Sequence, residues 1–306
     1  MAPAGTPLDW TGVDVAVPRR PAGLPGVDMA GFRQRVPARV DIAMVAHPSV
    51  TLIIDLSDGA GLVHDAAGRC ERGSVVIGLM PGDLRLTGRG GGDCLQIRLE
   101  PGVAAAVFGA PAELAGTVVA LADLWGRDAG RAEARLRAAG SWDERFAIAA
   151  ELLGRRPAAR RPVDPEVAHT WRRTLAGRGR VRVDGLAAEV GWSRRRLWSR
   201  FRAQLGISPK RAAGLVRFDR AARLLAAGHP PAGVAAECGY ADQSHLHREV
   251  RAFAGLTPAA LAVAPWLAID DIAWPAWSPR RPARADQGDR SPHAGVRMSS
   301  GCSTRL

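Results

Sequence analysis

Leu186-Ala187-Ala188-Glu189-Val190-Gly191-Trp192-Ser193, followed by Leu197, Phe201, Gly206 and Ser208-Pro209, is stated a second time in this chain. The second copy is Val234-Ala235-Ala236-Glu237-Cys238-Gly239-Tyr240-Ala241, followed by Leu246, Val250, Gly255 and Thr257-Pro258. The copies are offset by 48 residues up to the glycine-aromatic pair and by 49 beyond it, so the second turn holds one inserted residue. A short helix, a tight glycine turn and a second helix, repeated once, is the plan of two helix-turn-helix units. Ala187 and Ala235, four residues before the turn glycines, are small enough for the two helices of a unit to cross closely. Gly191 and Gly239 supply the positive φ of the turn, and Trp192 and Tyr240 cover the junction. Leu197 with Phe201, and Leu246 with Val250, lie four apart and anchor each second helix to a core.

At 100° per residue, Arg195, Trp198, Ser199 and Arg202 gather on the face of the first unit's second helix that points away from Leu197 and Phe201, with Arg194 and Arg196 flanking its start. The matching face of the second unit carries Ser244, His247, Arg248 and Arg251, flanked by Gln243 and His245. Ser193, Lys210 and Arg211 complete the set of candidate DNA-binding residues. Arg pairs bidentately with guanine edges, Gln with adenine, and Ser or His with several groups. Any one of these Arg residues alone is equally a solvated surface residue. Trp198 has two readings: it stacks on a sugar or thymine methyl, or it packs partly against the helix that links the two units. Between the units Ser208-Pro209 starts a helix and Gly228 stops it, with Leu215, Phe218, Ala222 and Leu225 at helical spacing. Such a spacer of roughly twenty residues is ~30 Å long, close to the ~34 Å turn of B-DNA, so it can set two recognition helices in successive major grooves.

The charge falls in the same place. The 306-residue chain has a formal net charge of +12, and residues 163–262 hold 17 Lys/Arg against 8 Asp/Glu. The excess therefore sits on the repeat, where a polyanion would bind. Arg-rich solvated surface is the bland alternative for charge taken alone.

The two units on one long helix, L-A-A-E-V-G-W-S and G-I-S-P-K-R before it and A-A-E-C-G-Y-A-D-Q-S-H-L and G-L-T-P-A after it, resemble the DNA-binding domain of AraC/XylS-type transcriptional regulators. The resemblance covers about residues 165–262. It implies sequence-specific control of transcription on double-stranded DNA, usually activation through contact with RNA polymerase. Two residues depart from the family pattern: Val250 where Phe is usual and Leu261 where an aromatic is frequent. Both imply looser packing, and a weaker or more adjustable reader, in the second unit. The companion domain of the family is commonly a cupin-like barrel followed by helices, which binds a small-molecule effector, forms a homodimer, or both.

The first half of the chain has a compatible order of elements. Residues 1–35 are rich in Pro and Gly and read as a loose arm with room for one short strand. Short apolar runs follow, among them Val50–Leu56, Ser74–Leu79, Leu84–Thr87 and Cys94–Leu99, broken by Asp58-Gly59 and by Gly88, Gly90, Gly91 and Gly92. That spacing predicts a small barrel or sandwich. Helices are expected at 103–108, 131–138 and 142–153, the last capped by Ser141, with further turns at 112–114 and 118–124. The expected architecture is α+β in two domains: a cupin-like barrel with helices over 36–154, a basic linker over 155–164, a helical DNA-binding domain over 165–264, and a mostly disordered tail over 265–306. Trp266, Trp274 and Trp277 in that tail could dock as a hook.

No enzyme motif accompanies the strands. A metal-dependent cupin needs a His-x-His with a further Glu and His, whereas His47 and His64 stand alone. Cys70, Cys94, Cys238 and Cys302 are scattered without C-x-x-C spacing, so neither structural zinc nor a disulfide framework is expected. No nucleophile elbow or phosphate loop is present, and no cofactor is expected. The absence of a signal-like N-terminus and of a long apolar run predicts a cytoplasmic protein with no membrane partner. The principal reading is a transcription regulator; the alternative is a small-molecule-binding or enzymatic barrel localised to DNA by its helical half. A third reading, an alkyl-transfer repair protein on this kind of module, requires a reactive cysteine.

Overall fold

The computed structural model describes residues 12–19, 23–35, 38–57, 62–64, 70–79, 84–90, 93–109, 111–156, 163–264 and 270–274. The strands come first: β1 (Val13–Ala16), β2 (Val27–Gln34), β3 (Ala38–Met44), β4 (Val50–Asp55), β5 (Leu62–His64), β6 (Cys70–Arg72), β7 (Val75–Ile77), β8 (Leu84–Gly90), β9 (Asp93–Leu99) and β10 (Val118–Ala120). They form a six-stranded sheet in the order β1-β2-β9-β4-β7-β10 and a four-stranded sheet in the order β3-β8-β5-β6, antiparallel at every paired ladder.

Strand β4 explains how the layers stack. Its side chains alternate between faces, yet all six residues are buried, as expected of a strand covered on both sides. Leu52, in register with Ile97 and through it with Met29, points into the main core, whereas Ile53 joins Val75 and Ile77 against Val63 and Leu84 of the smaller sheet. The two sheets therefore meet face to face through a small apolar cluster, and the other face of the larger sheet is covered by helices.

This arrangement corrects the expected closed, cupin-like barrel. β1 and β10 edge the larger sheet and β3 and β6 edge the smaller, so among the described residues no ladder joins the two. Three-residue strands such as β5, β6 and β7 are too short to carry hydrogen bonding around a closed wall. The loose arm is also corrected: β2, inside residues 1–35, pairs with β1 on one side and β9 on the other. Its alternating pattern Val27-Asp28-Met29 was hidden by the prolines before it. Residues 118–120, expected to be helical, add β10 to the edge of β7.

Helices α1 (Pro101–Phe108), α2 (Pro111–Leu114), α3 (Leu121–Trp125), α4 (Arg127–Ala138) and α5 (Trp142–Gly154) follow, the last capped as expected by the Ser141 hydroxyl, which accepts from the Glu144 N–H. The helical half comprises α6 (Pro165–Ala176), α7 (Val183–Glu189), α8 (Arg194–Leu205), α9 (Pro209–Ala226), α10 (Pro231–Cys238), α11 (Gln243–Ala254) and α12 (Pro258–Ala262). A contiguous apolar core runs from Leu52 and Leu99 in the sheet to Phe201, Phe218 and Leu246 in the helices, so the two halves are packed on one another.

The tail hook is partly realised. A short helix, Asp270–Ala273, brings Ala273 and Trp274 onto Ala30 of β2, flanked by Val15 and Phe32. Trp266, Trp277 and the disorder expected over 278–306 lie outside the described residues. No described helix is long and apolar enough to cross a membrane.

Candidate nucleic-acid interface

Each helix-turn-helix unit is built from the residues singled out by the repeat. In the first, Leu186, Ala187 and Leu197 are buried between α7 and α8, and Gly191 turns the chain at φ +67°. The Ser193 hydroxyl accepts from the Arg196 N–H at 3.2 Å and caps α8. In the second, Val234, Ala235, Leu246 and Val250 are buried and Gly239 turns at φ +75°. The inserted residue is explained by the cap: the Asp242 carboxylate accepts from the His245 N–H at 2.7 Å and starts α11. The spacer α9 spans 18 residues, ~27 Å, and is capped by Ser208, whose hydroxyl accepts from the Arg211 N–H.

The structure places most of the candidate DNA-binding residues on open surface. Arg194, Arg195, Arg196, Trp198, Ser199 and Arg202 of α8 are exposed, as are Gln243, Ser244, His247, Arg248 and Arg251 of α11, and Lys210 and Arg211 of α9. Trp198 is 45% exposed. The guanidinium of Arg202 lies 5.2 Å over its ring, and that of Arg196 lies 4.6 Å over Trp192. These stacks fix the direction of two long cationic side chains before any ligand arrives, which reduces the ordering cost of binding.

Three candidates have protein partners as well. Arg194 pairs with Asp184 at 3.4 Å, and Arg211 lies 4.5 Å over the ring of Phe253. His245 is half-buried, edge-on to Tyr240 with ring centroids 5.2 Å apart and 4.0 Å from Glu249 Oε1, so the structure turns it toward the interior of its unit.

Several positioning groups escaped the sequence reading because their partners are remote. Arg200 pairs with Asp164 Oδ2 at 2.6 Å and Gln204 Oε1 accepts from the Asp164 N–H, which ties α8 to the start of α6. Arg217 of α9 donates to Glu249 of α11 at 3.1 Å and lies 5.5 Å over the Tyr240 ring. Burial, with Glu249 beside it, pushes the Tyr240 hydroxyl far above its ordinary pKa. The pairing of Arg173 and His169 with Glu189 joins α6 to α7 and holds that carboxyl down at about 2.

In the sheet half, the His47 side chain is only 10% exposed: its Nδ1 lies 2.7 Å from Ser49 Oγ and its Nε2 lies 3.0 Å from Arg98 Nη1. It is a satisfied core residue. His64 lies on β5. Among the described residues no group of three or more His, Cys, Asp and Glu is arranged to hold a metal. Burial pushes the Cys94 thiol to about 12 and the Cys238 thiol to about 11, so neither is a thiolate at neutral pH. Cys70 is exposed on β6, and Cys302 lies outside the described residues.

A family model described as a helix-turn-helix domain matches residues 186–262. Among solved structures the chain is similar to ToxT from Vibrio cholerae O395, at 10% identity and a TM-score of 0.46 over 78% of this chain and 98% of that one. It is similar to the C-terminal domain of AraT, a response regulator from Geobacillus stearothermophilus, at 20% identity and a TM-score of 0.31 over 33% and 85%. A third similarity is to the AraC-like transcriptional activator CuxR, at 14% identity and a TM-score of 0.29 over 71% and 88%. No curated protein matches the chain.

Proposed function

We propose that this chain, whose residues 186–262 form an AraC-type helix-turn-helix domain, is a sequence-specific DNA-binding regulator of transcription. The observation that carries the reading is the exposure of two polar, cation-bearing helix faces, on α8 and α11, within units joined by one capped spacer helix. Arg195, Trp198, Ser199 and Arg202 read base edges in one major-groove segment, and Gln243, Ser244, His247, Arg248 and Arg251 read the next. Ser193, Arg194, Arg196, Lys210 and Arg211 lie at helix starts, where they meet phosphates and fix register rather than sequence. His245 acts from beneath, by holding the turn of the second unit through Tyr240.

The sandwich half modulates this activity. Its contact with the helical half supplies a route by which a small-molecule effector bound there, or a second copy of the chain, alters DNA binding. RNA polymerase is the protein partner expected of such a regulator.

The test is a gel-shift titration of the full chain with the DNA upstream of its own gene, at moderate salt and with unrelated duplex as competitor. The reading requires the upstream fragment to survive competition that removes non-specific binding. Equal competition by any duplex would sink it.

A further inference from the structure

The tail hook meets the sheet at Arg98 of β9, and the spacer helix meets the residue that Arg98 bonds, His47. Its guanidinium lies 4.0 Å over the ring of Trp274, which is itself 2% exposed. The same guanidinium donates through Nη1 to His47 Nε2 at 3.0 Å. His47 Nε2 in turn lies 3.4 Å from Oδ1 of Asp219, on the middle of α9, and Asp219 Oδ2 accepts from the Arg223 Nε–H one turn along.

The protonation state of His47 gives Arg98 a part in this contact. Burial, then the charges of Arg98 and Arg223, hold the imidazole neutral, with its pKa well below the ordinary 6.5. Nε2, which accepts from Arg98, therefore bears the lone pair, and the hydrogen is on Nδ1, which donates to Ser49 Oγ. A lone pair beside a carboxylate oxygen in a buried site is repulsive unless cations stand against both. Arg98 meets the Nε2 lone pair and Arg223 meets the Asp219 carboxylate, and Trp274 is the surface on which the Arg98 guanidinium rests.

We propose that the Trp274 hook and the spacer helix are coupled through Arg98, so that docking of the tail sets how firmly the DNA-binding half is held on the sheet. The hook follows α12 within ten residues, so the helical half meets the sheet half at two places, α9 and its own C-terminal extension, and Arg98 touches the second directly and the first through His47. A ligand or partner that lifts the hook would free α9 without touching either recognition helix.

Hydrogen exchange on the full-length chain tests this without DNA, so its outcome is independent of the DNA-binding reading. In Trp274→Ala, amides of α9 around 217–223 should exchange roughly fivefold faster, the factor expected from losing one cation-aromatic contact. Asp219→Asn should have a similar effect there, and the double variant should add little to either single one. Trp274→Leu keeps an apolar cover over β1 and β2 but removes the ring, so it should retain the protection of those strands and still loosen α9. Unchanged α9 exchange in Trp274→Ala, full additivity in the double variant, or complete protection of α9 by Leu would each overturn the coupling.

Discussion

Single side chains in this molecule divide into those whose surroundings can be read locally and those set by a remote partner. Ser193, Ser208 and Thr257 lie at helix starts that the sequence marks, and each hydroxyl caps its helix. Arg195 belongs with them: position on a helix is enough to place it on open surface, on the face of α8 proposed to read bases. Replacing it with Ala is expected to cost ~1 to 3 kcal/mol at one base position and to relax preference there, as measured by selection of bound sequences from random DNA. A uniform loss across all selected sequences would instead make Arg195 a phosphate contact. His47 is of the other kind, since Arg98 and Asp219 are distant in sequence and nothing local announces them. Its pKa is depressed in the fold, so below about pH 6.5 the unfolded chain takes up a proton that the folded one refuses. Stability therefore falls as pH drops below that value, with a slope of up to about 1.4 kcal/mol per pH unit from this group. Urea unfolding at pH 7.5 and 5.5 should show a smaller loss for His47→Gln than for the parent chain. Equal losses would place the pH dependence in other groups.

At the scale of elements, the repeat was legible because both of its periods are local: glycine at the turn and apolar residues four apart on the second helix. The quality of the second unit was not. Val250, where the resemblance implies Phe, suggested loose packing, yet Val250 is fully buried and Phe253, one turn on, is 2% exposed and stacked on Phe218 with centroids 5.0 Å apart. The aromatic has moved along α11 rather than been lost. Arg211 over the outer side of that ring and the Arg217–Glu249 pair then join α9 to α11. Phe253→Ala should thus destabilise the chain by ~3 to 5 kcal/mol, as expected for a buried aromatic truncated in a packed core. Calorimetry that showed a loss below ~1 kcal/mol would mean that the second unit is as loosely packed as the substitution at 250 implied. The strands illustrate the opposite limit. Their existence was readable from short apolar runs, but closure was not, because whether the edges of two sheets meet depends on twist and ladder length rather than on any residue in a run.

For the whole molecule the decisive contact is where the end of α8 meets the sandwich half. Gly206 ends α8 in the left-handed region at φ +76°, and a Cβ there would come within 2.3 Å of the Ala115 Cβ and 2.8 Å of the Ala112 carbonyl oxygen. The sequence shows Gly206 and Gly255 as matching positions of the repeat, and ending a helix there requires only positive φ. The close approach is a second requirement, imposed by a partner more than ninety residues earlier. Its counterpart Gly255 ends α11 at φ +67° and is exposed, so the pair separates the two requirements. Gly255→Ala should lose only the conformational cost of a left-handed residue, ~1 to 2 kcal/mol. Gly206→Ala carries that same cost and must also push α2 away from α8, so it should lose more stability and raise hydrogen exchange across 111–116, which Gly255→Ala should leave unchanged. Equal stability losses with no change at 111–116 would show that the sandwich half does not bear on α8. The expected difference would show that a shift of α2 by a fraction of an ångström acts on the end of the helix that carries Arg195, Trp198 and Arg202.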